Sequence, residues 1–124
     1  DFVKNFEEVA GKGISKDECK KVLQYKGFRN FDLVEGDIEK TVPSYVAKHP
    51  ELRISLLHLD ADVYRPTMIS LLYFYKRVVS GGLVIIDDFG TVDGATRAVE
   101  DFFRDQKPHY EKLGVSHVPM FIRR

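Results

Sequence analysis

The chain is short of cysteine, of net charge and of long apolar runs, and each shortage narrows what it can be. A lone cysteine, Cys19, excludes an internal disulfide and suits a reducing compartment such as the cytoplasm. Nineteen basic and nineteen acidic side chains cancel, which removes the electrostatic case for nucleic acid or an anionic membrane as partner. No apolar stretch approaches the roughly 20 residues of a membrane span, and no signal peptide is visible. Repeats, low-complexity tracts and domain linkers are absent as well. The chain starts at Asp1 without a methionine, so a trimmed, processed or incomplete polypeptide is expected. What remains is 124 residues, 44% of them hydrophobic, enough for the core of one domain or part of one.

The pattern along the chain alternates helices and strands. Ser15 with Glu18 makes a capping box and opens a helix that buries Cys19, Val22 and Leu23 and stops at Gly27. Phe31–Val34 reads as a first strand. Pro43 is placed to open a short helix through Tyr45 and Val46, closed near His49-Pro50. The strand Ile54–Leu59 follows, then a helix opened by Pro66, with Met68, Leu71, Leu72, Tyr75 and Val79 at helical spacing. Ser80-Gly81-Gly82 ends that helix and leads into the strand Leu83–Ile86. A further helix begins near Asp93 and buries Ala95, Ala98, Val99, Phe102 and Phe103. Tyr110–Val115 and Pro119–Arg123 complete the chain as two weaker strands. The fold class is α/β, with right-handed crossovers between parallel strands.

Two of these strands end in acid. Ile54–Leu59 runs into Asp60-Ala61-Asp62, and Leu83–Ile86 runs into Asp87-Asp88. Short apolar runs bounded by turn signals read as buried parallel strands, and open α/β sheets bind ligands at the carboxyl ends of their strands. Four carboxylates gathered there repel one another unless a cation or shared protons offset the charge. The pattern therefore points to a metal site. The plainer alternative is that an Asp after a strand forms a turn or caps a helix, which applies most to Asp62 ahead of the Pro66 helix. His58, two residues before Asp60, reads as a packed or hydrogen-bonded strand residue beside the site.

The run from Leu56-Leu57-His58-Leu59-Asp60-Ala61-Asp62-Val63-Tyr64-Arg65-Pro66-Thr67, through a Leu/Tyr-rich helix, to Gly81-Gly82-Leu83-Val84-Ile85-Ile86-Asp87-Asp88-Phe89 closely resembles the macrocin O-methyltransferase family. The segment Asp93–Phe102 is similar to the family's next helix, so the resemblance covers roughly residues 30 to 105. It implies a Rossmann-like class I methyltransferase sheet and S-adenosylmethionine-dependent, Mg²⁺- or Mn²⁺-assisted methylation of a sugar or phenolic hydroxyl on a small molecule. By the same resemblance Asp60, Asp87 and Asp88 are the metal ligands and Asp62 is the general base. Gly36-Asp37 matches the adenine-side turn, and His58 lies beside the cofactor.

The chain departs from that family at its start. No strand followed by a Gly-rich turn is present, because Gly11-x-Gly13 follows a charged, helix-like stretch. The resemblance therefore implies a single carboxyl-terminal part of a methyltransferase domain, with an incomplete sheet, exposed strand edges and a cofactor half that is largely missing. Exposed edges and the Phe102-Phe103 pair would allow a homo-oligomer. Two rival readings stand beside it. Apolar-Asp-x-Asp-x-Val also resembles aspartate-nucleophile phosphatases, with Ser70, Ser80 and Lys76 as the available partners. The other rival is a non-catalytic binding fragment. A glycosyltransferase Asp-x-Asp leaves the second acidic cluster unexplained.

Overall fold

The computed structural model describes residues 13–115 and 119–124, and the chain divides into two compact units, Asp1–Glu35 and Gly36–Arg124. In the first, helix α1 (Lys16–Tyr25) opens on the expected capping box. The Glu18 N–H donates to Ser15 Oγ, and the Ser15 N–H donates to the Glu18 carboxylate at 2.8 Å. Gly27, at φ +89°, follows its end. The helix buries none of its residues: Cys19 is half-buried and Val22 is 47% exposed. Phe31–Val34 is not a strand, contrary to the sequence pattern. Its apolar alternation is present, with Phe31 and Leu33 half-buried, but no ladder partner meets it among the described residues. Gly11 lies outside the described residues.

The second unit begins with α2 (Ile38–Lys48), whose cap is Asp37: its Oδ1 accepts the Glu39 N–H at 3.0 Å. Pro43 therefore sits inside this helix rather than at its start. There it leaves the Glu39 carbonyl without the N–H an ordinary residue would supply. Then come β1 (Ile54–Leu59), α3 (Tyr64–Phe74), a single 3₁₀ turn (Tyr75–Arg77), β2 (Val78–Ile86), α4 (Asp93–Phe102), β3 (Tyr110–Lys112) and β4 (Met120–Arg123). The four strands form one sheet in the order β1-β2-β4-β3. Of these, β1 and β2 are parallel, and β4 is antiparallel to both of its neighbours.

The register explains the core. Leu57, Val84 and Ile122 make one row across three strands, and Leu59, Ile86 and Met120 make the next. All six are buried, under Leu71 of α3 and Val99 and Phe103 at α4. Alternation puts the intervening residues, His58 and Ile85 among them, on the other face.

Three local expectations shift. Pro66 falls at the third position of α3, inside its first turn, where its missing N–H is an orphan anyway. Val79 through Gly82 belong to β2, not to a helix end, and form an irregularity in it. Partner Ile54 faces Val78 while Leu56 faces Leu83, so extra β2 residues bulge out. Gly82 is required there, because a Cβ would lie 2.7 Å from Val78 Cγ1 and 2.9 Å from the Val79 carbonyl oxygen. β3 stops at Lys112, before the turn at Gly114. No helix among the described residues is long and apolar enough to cross a membrane.

Candidate active site

Pairing of β1 with β2 sets the geometry of the acidic residues. Leu59 is opposite Ile86, so Asp60 and Asp87 leave neighbouring strands at the same end. The Asp87 N–H donates to the Leu59 carbonyl at 3.0 Å, carrying the ladder one residue further. Beyond it, the Asp88 carbonyl accepts N–H bonds from Thr91 and Val92, so the chain turns sharply after the second aspartate. Thr96 of α4 steadies this turn by accepting the Gly90 N–H at 2.8 Å.

Asp60, Asp62 and Asp88 come together: each offers a carboxylate oxygen within 4.8 Å of the others. Asp60 is exposed, Asp62 and Asp88 half-buried. Partial burial, then a hydrogen bond with Asp62, then the negative charges of Asp62, Asp87 and Asp60 push the Asp88 carboxyl up to about 6 from its ordinary 3.8. Asp87 stands outside this threesome. Its Oδ1 accepts from His58 Nε2 at 3.0 Å, both side chains being about half exposed. A set of clustered, accessible carboxylate oxygens is the donor chemistry that hard divalent cations such as Mg²⁺ and Mn²⁺ take.

Asp62 is held in an unusual way. It is the only non-glycine with positive φ (+56°) among the described residues. Its carbonyl accepts the Ala95 N–H at 3.0 Å, tying the Asp62 turn to the first turn of α4. Two residues further along, the Tyr64 hydroxyl donates to Asp101 of α4 at 2.9 Å.

The remaining residues singled out in the sequence are placed by α2. Gly36 has φ +127°, a conformation that favours glycine, with Thr41 Cγ2 3.0 Å from where a Cβ would stand. Asp37 spends one carboxylate oxygen on its cap. The partners that a phosphatase would need are absent from the site. Ser70 is buried in α3, while Lys76, in the turn that enters β2, and Ser80, near the start of β2, lie toward the opposite end of that strand from Asp87-Asp88. One residue escaped sequence reasoning, Gly94, which packs on the Asp62 turn. Its signal was a glycine early in an otherwise good helix, where glycine is unfavourable unless backbones approach closely.

The chain is similar to several known proteins. The family model described as Macrocin-O-methyltransferase (TylF) matches residues 10–124. Demethyldecarbamoylnovobiocin O-methyltransferase from Streptomyces niveus is 30% identical over 84 residues, which cover 62% of this chain and 30% of that protein. The crystal structure of CalS11, a calicheamicin methyltransferase, superposes with a TM-score of 0.67 at 28% identity, over 73% of this chain and 36% of the other. The O-methyltransferase NovP superposes at 0.78 over 90% of this chain and 45% of its own; at 21% identity that likeness is one of fold. The chain thus spans less than half the length of each of these proteins.

Proposed function

The chain belongs to the macrocin-O-methyltransferase family, and on that premise we propose that it forms the metal and base half of an enzyme that transfers a methyl group from S-adenosylmethionine to a hydroxyl of a sugar or other small natural product. The observation that carries this reading is the convergence of Asp60, Asp62 and Asp88 beyond the carboxyl ends of two parallel strands. Four aspartates within two short segments repel one another; the Asp88 carboxyl is raised first by partial burial, then by its hydrogen bond with Asp62 and by the neighbouring negative charges. A divalent cation relieves that repulsion.

Asp60, Asp87 and Asp88 are the proposed ligands. When bound, the ion acts as a Lewis acid that lowers the pKa of the acceptor hydroxyl. His58 holds one oxygen of Asp87 and leaves the other free to ligate, the kind of supporting hydrogen bond that orients metal-binding carboxylates. Asp62 takes the acceptor's hydroxyl proton on its carboxylate. Gly36, with its bare backbone, Asp37 and His58 are the proposed cofactor contacts. S-adenosylmethionine supplies the electrophilic sulfonium methyl group.

One observation favours a different division of labour: Asp62, not Asp87, has its oxygen within 4.8 Å of those of Asp60 and Asp88. In that arrangement Asp62 is the third ligand. Calorimetric Mg²⁺ titrations separate the two. With Asp62 as base, Asp62→Asn keeps the affinity and Asp87→Asn lowers it about tenfold or more; with Asp62 as ligand, the order reverses. The methyl-transfer reading itself is tested by titrating S-adenosylhomocysteine into the intact, folded enzyme with Mg²⁺ present. Saturable binding is expected, and its absence in the intact, folded enzyme would remove the reading.

A further inference from the structure

The Asp62 carboxylate stands in the acidic group on a backbone of left-handed conformation. A residue with a Cβ takes this conformation at some cost, and keeps it where the surrounding structure holds it there. Two neighbours in the first turn of α4, more than thirty residues further along the chain, press on this turn. The Ala95 N–H, one of the donors a helix start leaves without an internal partner, is spent on the Asp62 carbonyl at 3.0 Å. Gly94, immediately before it, lies flat on the turn. A Cβ built there would stand 2.9 Å from Tyr64 N, 3.0 Å from Asp62 O and 3.0 Å from Val63 Cα. All three are backbone atoms, so nothing flexible can move aside.

We propose that Gly94 is a positioning residue for Asp62: the missing side chain lets the α4 amide close on the Asp62 carbonyl and keeps the carboxylate turned toward Asp88. The proposal rests on reading Asp62 as a working member of the acidic site, but its structural part stands apart from which role Asp62 plays. Placing any side chain at 94 drives the turn away from α4, breaks the Ala95 bond and releases Asp62 from its left-handed conformation. Ordinary helix propensity predicts the opposite, since alanine is a better helix former than glycine.

The experiment is NMR on the labelled chain and its Gly94→Ala variant, with Ala95 amide exchange and the sign of the Asp62 φ, read from backbone couplings, as the two observables. In the unaltered chain the Ala95 amide is protected and φ is positive. In Gly94→Ala, Ala95 exchanges about tenfold faster, the loss expected from one hydrogen bond, and Asp62 leaves the positive region. A protected Ala95 with positive φ in the variant overturns the proposal. If the variant does not fold, rapid exchange of Ala95 in the unaltered chain overturns it, and protection there supports it. Mg²⁺ affinity and methyl transfer by the intact enzyme then test the consequence. Gly94→Ala should reproduce whichever change Asp62→Asn produces, and the double variant should be no worse than either single one. A merely structural role would give multiplied effects instead, which would count against the proposal. If Asp62→Asn changes neither quantity, the role given to Asp62 falls, and the NMR observables still decide whether Gly94 sets its conformation.

Discussion

Asp88 concentrates the electrostatic tension of the site in one carboxyl group. Its proton affinity is raised to about 6 in the folded chain against 3.8 for the ordinary group, by partial burial and by Asp62, Asp87 and Asp60. A raised carboxyl favours the folded state when protonated. Its contribution is complete below about pH 4 and is lost as pH rises through about 6. Asp88→Asn therefore stabilises the metal-free chain near pH 7, by about 1 kcal/mol after allowance for solvent screening, and raises its melting temperature. Thermal melts near pH 4 and pH 7 should show the advantage shrinking at the lower value; an equal advantage at both would contradict this origin. At this scale much of the site was legible. Asp60, Asp62, Asp87 and Asp88 announce themselves as acid at the ends of apolar runs. The pairing of His58 with Asp87 was not legible, because it depends on strand register. The left-handed Asp62 also was not, since no residue type encodes it uniquely.

The helices show which local signals win when they compete. Ser15 and Glu18 behave as their capping pattern says, because a capping box is satisfied entirely within four residues. Pro43 misled because proline at a helix start is only a preference. Asp37 offers a true cap six residues earlier, and the helix it opens runs through the proline. Pro43→Ala restores a donor to the Glu39 carbonyl, and is expected to stabilise the chain by about 1–3 kcal/mol. Denaturant unfolding of that variant with an unchanged or lower midpoint would show the helix to be bent so as to absorb the proline. Gly81-Gly82 misled in the same way. Glycine pairs usually punctuate elements, yet here they sit in a bulge inside β2, where Gly81 takes φ +79° and Val78 and Ser55 crowd Gly82.

The parallel pair and its intervening helix were readable from hydrophobic period and length, and the antiparallel β4 less so, because its partner is chosen by tertiary packing. Among the described residues of Gly36–Arg124, β1 pairs on one side only, leaving an edge. The sheet face opposite the core carries Leu56, 55% exposed, with Leu83, Ile85 and Phe121 half-buried beside it. An unpaired edge next to apolar side chains is a template for association. The 124-residue chain should self-associate in sedimentation experiments, and Leu56→Lys should shift it toward monomer without lowering its helix content. A wild-type chain that stays monomeric at high concentration would show that face and edge to be covered.

On the proposed function, the aspartates at the ends of β1 and β2 hold one divalent cation for methyl transfer. The most direct test of this is a calorimetric titration of Mg²⁺ into the folded chain and into its Asp88→Asn variant, since Asp88 belongs to the ion site in both divisions of the ligands. One saturable site in the wild type, weakened about tenfold or more in the variant, is the predicted result. A folded wild-type chain that binds no Mg²⁺, or a variant that binds it equally well, would contradict the account.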